Sequence, residues 1–140
     1  MRFYLSSYKI GDKSDKLKKM MPKGNNQMAF ISNALDFSDD LERRKDSEER
    51  DTNLLKELGF EVEMVDLRDY FGKENDLKKK LLEFGGLWVM GGNVFVLRQS
   101  MKLSGLDNII LDFKESDANI LYGGYSSGVC VLGPKLKGLE

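Results

Sequence analysis

The sequence predicts an α/β fold built on a mainly parallel sheet. Short apolar runs alternate with longer charged, amphipathic stretches along the 140 residues, which is the pattern of β-α-β units. Most apolar runs lack strict alternation of polar and apolar residues, as expected of strands that are covered on both faces. We therefore predict a flavodoxin-like three-layer sandwich with about five strands.

The strand candidates are the short apolar runs. The first begins at the second residue, and because Met1–Leu5 is too short in apolar residues for a secretion signal, we interpret it as a strand. The five predicted strands are Arg2–Ser6, Gln27–Ser32, Glu61–Leu67, Gly86–Met90 and Asn119–Tyr122.

Five helices are expected in the intervening stretches. Ser14–Met21 is short and is closed by Pro22 and Gly24. The longest, Asp39–Leu58, ends before Gly59, a residue type common just after helix C-termini. The remaining predicted helices are Asp76–Phe84, Asn93–Leu103 and Leu106–Ser116.

The longest predicted helix has an unusually polar middle. Every residue of Arg43–Thr52 is polar, and the pairs Arg44–Glu48 and Lys45–Glu49 have the i,i+4 spacing of helical ion pairs. We therefore expect this segment to be largely solvated. The expected core anchors of the helix are Leu41, Leu54, Leu55 and Leu58.

The composition argues against several classes of function. Lys and Arg number 22 against 23 Asp and Glu, so no excess positive charge attracts nucleic acid or anionic lipid. No apolar run is long enough to span a membrane. One cysteine and no histidine argue against a zinc site, and without a phosphate-binding glycine motif no cofactor is expected. The single cysteine fits a cytoplasmic location, where disulfides are rare.

The segment Gly124–Gly128, Gly-Tyr-Ser-Ser-Gly, is the strongest functional signal. It lies between the apolar runs Asn119–Tyr122 and Val129–Leu132, as in a nucleophile elbow that joins a strand to a helix. Glycines on both sides permit a turn that side chains would block. Ser126 is therefore the candidate nucleophile, and the backbone N–H of Ser127 is the candidate donor to an oxyanion.

A second glycine turn is predicted directly after the strand Gly86–Met90. There Gly91-Gly92-Asn93 leads into a helix, at the carboxyl edge of the sheet where open α/β folds bind ligands. Taken alone, Gly91-Gly92 is best explained as a tight turn. Because Gly124–Gly128 is predicted at the same edge, the two turns together favour two backbone donors around one oxygen, as in an oxyanion hole.

These two turns also carry a family resemblance. Gly91–Arg98 is Gly-Gly-Asn-Val-Phe-Val-Leu-Arg, and Gly123–Pro134 is Gly-Gly-Tyr-Ser-Ser-Gly-Val-Cys-Val-Leu-Gly-Pro. In combination they closely resemble the dipeptidase E and cyanophycinase-like serine peptidases, whose fold is similar to that of the class I glutamine amidotransferases. The resemblance covers essentially the whole chain in element order. It implies a serine peptidase, often one acting on short peptides that begin with aspartate.

The resemblance implies a role for individual residues. Ser126 matches the family nucleophile, which forms an acyl-enzyme, and Gly92 matches the second oxyanion donor. Ser127 occupies a position that is commonly alanine in the family, but its backbone N–H would still serve. Gly91 and Asn93 are then the expected substrate-binding residues, and a small peptide is the expected partner.

The chain departs from the family at the catalytic base. Family members take a histidine and its orienting acid from segments beyond the elbow, whereas these 140 residues contain no histidine and continue for twelve residues after Gly128. We therefore expect a single α/β domain over residues 1–140 that matches the N-terminal two thirds of such a peptidase and has little activity alone. An open sheet edge would favour a homo-oligomer. The alternative is an inactive binding or interaction module that keeps the elbow as a structural turn.

Three further groups have simpler structural explanations. Cys130 lies in an apolar run and is expected in the core rather than as a thiol nucleophile. A surface position on the helix is favoured for Arg98 over contact with an acidic substrate group. Asp36, Asp39 and Asp40 suggest the acidic start of a helix, which complements the helix dipole, more than a cation site.

Overall fold

The computed structural model describes residues 1–6 and 14–125, which contain one sheet of five parallel strands. The strands are β1 Arg2–Ser6, β2 Gln27–Ile31, β3 Glu61–Met64, β4 Gly86–Val89 and β5 Leu121–Tyr125. Their order across the sheet is β1-β5-β4-β2-β3, and all four pairings are parallel. The predicted parallel α/β architecture is therefore confirmed.

All five predicted helices are present, with ends within three residues of those expected. They are α1 Ser14–Met20, α2 Leu41–Glu57, α3 Glu74–Leu81, α4 Val94–Ser104 and α5 Leu106–Glu115. Two short 3₁₀ turns, Asn33–Leu35 and Leu67–Tyr70, were not expected. The second replaces the end of the predicted strand Glu61–Leu67, because the Asp66 side chain accepts the Arg68 N–H and starts the turn.

The helices cover the sheet on both faces. Along β4, Leu87 and Val89 point to one face, whereas Trp88 and the following Met90 point to the other. The first face packs against α3, α4 and α5, and the second against α1 and α2. We refer to these as the α3–α5 face and the α1–α2 face.

Gly123 in β5 is required by the packing of the α1–α2 face. A Cβ atom at this position would lie 2.6 Å from Cε3 of Trp88, whose side chain is fully buried. The glycine therefore lets the indole lie flat across the neighbouring strand.

Two expectations for α2 are wrong. Leu41 is 71% exposed and Leu54 is 36% exposed, so neither is a core anchor. Conversely, the polar middle of the helix is not uniformly solvated, because Asp51 is 1% exposed. Leu55 is fully buried and Leu58 packs partly buried against the α1–α2 face, as expected.

Within the described ranges, no helix combines the length and the apolar character needed to cross a lipid bilayer.

Candidate active site

The carboxyl ends of β2, β4 and β5 meet at one edge of the sheet. β2 and β4 are neighbours, with Ile31 paired to Val89, yet α2 follows β2 onto one face and α4 follows β4 onto the other. Open α/β sheets bind ligands at such a point, where neighbouring strands lead to opposite faces. The predicted site residues Gly91, Gly92 and Asn93 lie here, between β4 and α4.

The turn Gly91–Asn93 is anchored through its last residue. The Asn93 N–H donates to the Ala34 carbonyl oxygen at 2.9 Å. Gly92 itself is exposed, and its N–H has no backbone acceptor among the described residues. The turn therefore presents the Gly92 N–H as a backbone donor at the end of β4.

Only glycine fits at position 92. A Cβ atom there would lie 2.6 Å from the Ala34 carbonyl oxygen, and the backbone φ is 156°. Any side chain would push the turn away from the 3₁₀ turn Asn33–Leu35 and would break the contact that holds it.

Asn93 stabilises the start of α4, in addition to its predicted role in substrate binding. Its Oδ1 accepts the N–H groups of Phe95 and Val96 at 3.0 and 3.1 Å, which makes Asn93 the N-cap of α4. Its side-chain oxygen is therefore engaged, and Nδ2 is the side-chain group left to donate to a substrate.

The predicted nucleophile lies just beyond the described part of the chain. Ser126 and Ser127 are outside the described residues, as is Cys130. The expected limits of the preceding strand, Asn119–Tyr122, are wrong: β5 begins at Leu121 and continues to Tyr125. Gly124, which we expected to begin the elbow, is instead a strand residue paired with Val89 of β4.

A buried tyrosine–aspartate pair lies next to this point and was not predicted. The Tyr125 hydroxyl donates to Oδ2 of Asp51 at 2.7 Å, and Arg50 Nε donates to Oδ1 of the same carboxylate at 3.3 Å. Tyr125 also packs against Trp88, with ring centroids 6.1 Å apart. Burial, together with the hydrogen bond to Asp51, raises the pKa of the Tyr125 phenol well above its usual range.

A second polar group lies at the end of β2. Asn33 is 1% exposed; its Nδ2 donates to Asp36 at 2.8 Å and to Asp66 at 2.9 Å, and its Oδ1 accepts the Leu67 N–H at 3.0 Å. This side chain thus ties together the two 3₁₀ turns. It also orders the turn that carries the Ala34 carbonyl, the acceptor for Asn93.

Arg44 of α2 extends this polar group. Its guanidinium lies 2.7 Å from Asp36, it also contacts Glu48, and the Ser32 hydroxyl donates to Glu48. Both side chains of the Arg44–Asp36 pair are nearly buried, at 12% and 11% exposed. Asp36 is therefore an ion-pair partner rather than part of a helix start. Asp40, in contrast, caps α2 as expected by accepting the Arg43 N–H at 3.0 Å.

Asp66 is the most strongly shifted acid in this group. Burial disfavours its ionised form, but hydrogen bonds from Arg68 and Asn33 outweigh burial and lower the pKa of Asp66 from 3.8 to about 2. The same pairing raises the pKa of Arg68. Asp66 is therefore a structural acceptor at neutral pH and is ionised there.

The remaining candidates do not form a metal site. Residues 1–6 and 14–125 contain no group of three or more His, Cys, Asp or Glu side chains placed to hold a metal ion. Arg98 lies in α4 and is half-buried.

The polar face of α2 could have been found from spacing. Arg44, Glu48, Asp51, Leu55 and Leu58 are three or four residues apart, which places them on one helical face. Because Leu55 and Leu58 face the core, the same stripe continued towards the N-terminus predicts inward-facing polar groups. The apolar residues of α2 alone do not reveal this pattern of inward-facing polar side chains.

Comparison with known proteins identifies the family. The model of peptidase family S51 matches residues 6–140, which is nearly the whole chain. The chain belongs to peptidase family S51. The resemblance to dipeptidase E-like peptidases found in the two glycine motifs is thereby confirmed.

Two relatives of this S51 chain come from Listeria monocytogenes. An "Uncharacterized peptidase" is 35% identical over 82 residues, which cover 59% of this chain and 38% of that protein. The match thus spans well under half of the relative's length. A crystal structure at 1.5 Å of a "Putative Peptidase E Protein" is 23% identical, covers 99% of this chain and 69% of that chain, and has a TM-score of 0.62. At that identity the structural likeness supports the fold alone.

Proposed function

We propose that this chain carries the nucleophile and the oxyanion hole of a serine peptidase. In this proposal Ser126 Oγ attacks the carbonyl carbon of a peptide bond and loses its proton to a base. The tetrahedral oxyanion is held by the backbone N–H groups of Gly92 and Ser127. The C–N bond then breaks, the amine leaves with a proton, and water hydrolyses the acyl group on Ser126.

The observation that carries this proposal is the position of the Gly92 N–H. It is exposed at the carboxyl end of β4, next to the anchored N–H of Asn93, and has no backbone acceptor among the described residues. Ser126 directly follows Tyr125, the last residue of β5, and Gly124 of that strand is paired with Val89 at the end of β4. A nucleophile and a free donor would therefore share one edge of the sheet.

The proposed substrates are short peptides with an N-terminal aspartate, as the family resemblance suggests. Gly91 and Asn93 flank the free donor and are the proposed substrate-binding residues. Because Asn93 Oδ1 already caps α4, the proposed contact from this side chain is donation by Nδ2 to a substrate oxygen.

The 140 residues contain no histidine, so the proposed reaction lacks its usual base within them. Loss of the base from a serine triad typically costs about a millionfold in turnover, and the oxyanion hole and binding retain about a thousandfold over water. We therefore expect the isolated chain to show little or no peptidase activity.

The absence of histidine from these 140 residues also supports a second candidate function, an inactive binding or interaction module. A buried lysine with a lowered pKa is the other base known for serine nucleophiles. The chain has 16 lysines and 6 arginines, and for Lys80 a hydrogen bond to Glu63 raises the pKa, which is the wrong direction for a base.

An assay of the purified chain tests the proposal. Turnover of peptides with N-terminal aspartate should not exceed that of the Ser126→Ala variant. Robust turnover that disappears in Ser126→Ala would show that a base other than histidine acts within these residues.

Substrate binding can be tested without turnover. Titration of the ¹⁵N-labelled chain with Asp-Leu should shift the amide resonances of Gly91, Gly92 and Asn93, whereas Lys-Leu should not. Equal shifts with both dipeptides would contradict the proposed preference for aspartate, and no shift with either would contradict a peptide site at this turn.

A further inference from the structure

Asp51 of α2 is a carboxylate that is buried against the sheet. It is 1% exposed, and among the described residues it accepts hydrogen bonds from the Tyr125 hydroxyl at 2.7 Å and from Arg50, which is half-exposed. Burying a carboxylate is costly unless it is paired and hydrogen-bonded. An apolar residue would continue the stripe formed by Leu55 and Leu58, so core packing alone does not explain an acid at this position.

Tyr125 is the last residue of β5 and is held from three sides. It is paired with Ser6 of β1, its ring packs against Trp88 of β4 with the centroids 6.1 Å apart, and its hydroxyl donates to Asp51. Its side chain is almost fully buried. The residue that directly precedes Ser126 is therefore bound to both neighbouring strands and to the helix that covers them.

Helix α2 is itself fixed at the end of another strand. Arg44 lies 2.7 Å from Asp36, and the Ser32 hydroxyl, directly after β2, donates to Glu48. In the sheet, β2 and β5 are the two neighbours of β4. One face of α2 therefore connects the ends of the two strands on either side of β4, the strand that leads to Gly92.

The hydrogen bond between Tyr125 and Asp51 adds a direction that ring packing lacks. A carboxylate can only accept, so the hydroxyl donates, and burial raises the pKa of the Tyr125 phenol, which keeps the proton that it donates. A hydrogen bond to an ionised acceptor is stronger than a neutral one. Apolar contact with Trp88 is non-directional, whereas the hydrogen bond sets one position for the ring along the sheet.

We infer that Asp51 and Tyr125 are positioning residues that fix the end of β5 and thereby the backbone position of Ser126. The hydrogen bond keeps the last residue of β5 from fraying away from the sheet, and α2 sets where that residue lies relative to the end of β2. The inference rests on the proposed function only for the role of Ser126 as the nucleophile, because the anchoring of Tyr125 is a property of the described residues.

The test compares amide hydrogen exchange at the two ends of β5. In Tyr125→Phe, which removes only the hydroxyl, the amide at position 125 should exchange about tenfold faster, relative to the Leu121 amide, than in the wild-type chain. Leu121 is the internal reference, because its N–H donates to the Gly85 carbonyl oxygen at 3.0 Å and a loss of global stability would speed exchange at both positions.

The matched control for the hydroxyl is Tyr122→Phe. This variant removes a buried hydroxyl from the opposite face of the same strand and should leave the ratio of the two exchange rates unchanged. An equal ratio in Tyr125→Phe and Tyr122→Phe would overturn the inference.

Conservative replacement of Asp51 separates positioning from packing. Asp51→Asn keeps a side-chain oxygen that accepts from Tyr125 and should hold the ratio within about threefold of the wild-type value. Asp51→Leu fills the same space without an acceptor and should raise the ratio about tenfold. A ratio that stays at the wild-type value in Asp51→Leu, or that rises equally in both variants, would overturn the role of Asp51.

The amide order parameter of Ser126 tests the link to the proposed nucleophile. In the wild-type chain it should be about 0.85, the value of rigid backbone, and a value below about 0.6 would overturn the inference even if no variant folds. It should be lower in Tyr125→Phe than in Tyr122→Phe, and equal values would contradict positioning of Ser126 by Tyr125.

These measurements involve neither peptide binding nor hydrolysis, so the two proposals can fail separately. A rigid Ser126 in a chain that binds no peptide would refute the proposed function alone. A mobile Ser126 in a chain that binds Asp-Leu would refute the positioning role alone.

Discussion

The two faces of the sheet are stabilised in different ways. The α3–α5 face is covered by three helices that each bury at least two apolar side chains, among them Leu97 and Ile109. On the α1–α2 face, the long helix α2 fully buries only Leu55 and Asp51. The helix also makes polar contacts there: Arg44 and Glu48 contact Asp36 and Ser32 just after β2, and Asp51 contacts Tyr125 of β5.

This difference between the two faces shows where the polar side chains of the helices are concentrated. The polar contacts that α2 makes through Arg44, Glu48 and Asp51 lie near the carboxyl ends of β2 and β5, at the sheet edge that also holds Gly92. The α3–α5 face is held by apolar packing, which is non-directional and suits a scaffold. Hydrogen bonds are directional, so the polar contacts of the α1–α2 face are better suited to fixing the orientation of a turn.

The largest effect is expected on the α3–α5 face. Leu97 of α4 is fully buried, and Leu97→Ala should lower the free energy of unfolding by about 3 kcal/mol through lost burial and a residual cavity. Leu41→Ala is the control, because Leu41 is 71% exposed and should cost less than about 0.5 kcal/mol. Urea denaturation measures both; equal losses would contradict the assigned core.

A smaller loss is expected in the polar group at the end of β2. Asn33→Ala removes three hydrogen bonds and leaves the buried Leu67 N–H without an acceptor, which should cost about 2 kcal/mol. Asn108→Ala is the matched control, since Asn108 makes an exposed hydrogen bond to Glu74 and should cost less than about 0.5 kcal/mol. A negligible loss for Asn33→Ala would show that the group does not stabilise the two 3₁₀ turns.

Alkaline pH should weaken both faces through one tyrosine each. Burial raises the pKa of Tyr122 and of Tyr125 above the ordinary value of 10.0, so the folded state retains protons that the unfolded state releases. Their stabilisation is complete below pH 10 and is lost above it, at about 1.4 kcal/mol per tyrosine by pH 11. Denaturation of Tyr122→Phe and Tyr125→Phe should each show a shallower alkaline loss than the wild type, and unchanged slopes would contradict burial of the phenols.

The smallest effect on stability is expected from the protonation of Asp66 in acid. Its pKa is lowered from 3.8 to about 2, so its contribution is present above pH 4 and is lost as the pH falls towards 2. Because Asp66 is about a third exposed, solvent screening reduces that contribution to about 1 kcal/mol. Asp66→Asn should therefore lose less stability than the wild type between pH 4 and pH 2, and an identical acid loss would contradict the pairing with Arg68.

Much of the fold could be predicted because periodicity and glycine positions act locally. The strand Arg2–Ser6 has the predicted limits, and Gly59 follows α2 with a left-handed φ of 97°. The limits of β5 were predicted wrongly because of a tertiary contact. Gly123 suggests a turn in sequence, but it is glycine because Trp88 of the neighbouring strand lies against it.

Less of the candidate site could be predicted. The turn Gly91–Asn93 could be predicted because a glycine pair follows a buried strand, but its anchor, Ala34, comes from a turn distant in sequence. The partnership of Asp51 with Tyr125 joins residues 74 positions apart. No local pattern reports such a contact, although the spacing of Asp51 from Leu55 indicates which way it faces.

The most direct test of the central claim is amide hydrogen exchange at Gly92 and Asn93 of the wild-type chain. Because the Asn93 N–H is bonded to the Ala34 carbonyl, Gly92 should exchange about tenfold faster than Asn93 after correction for intrinsic rates. Protection of Gly92 equal to that of Asn93 would mean that its N–H is already occupied. That result would contradict a free oxyanion donor at the carboxyl end of β4.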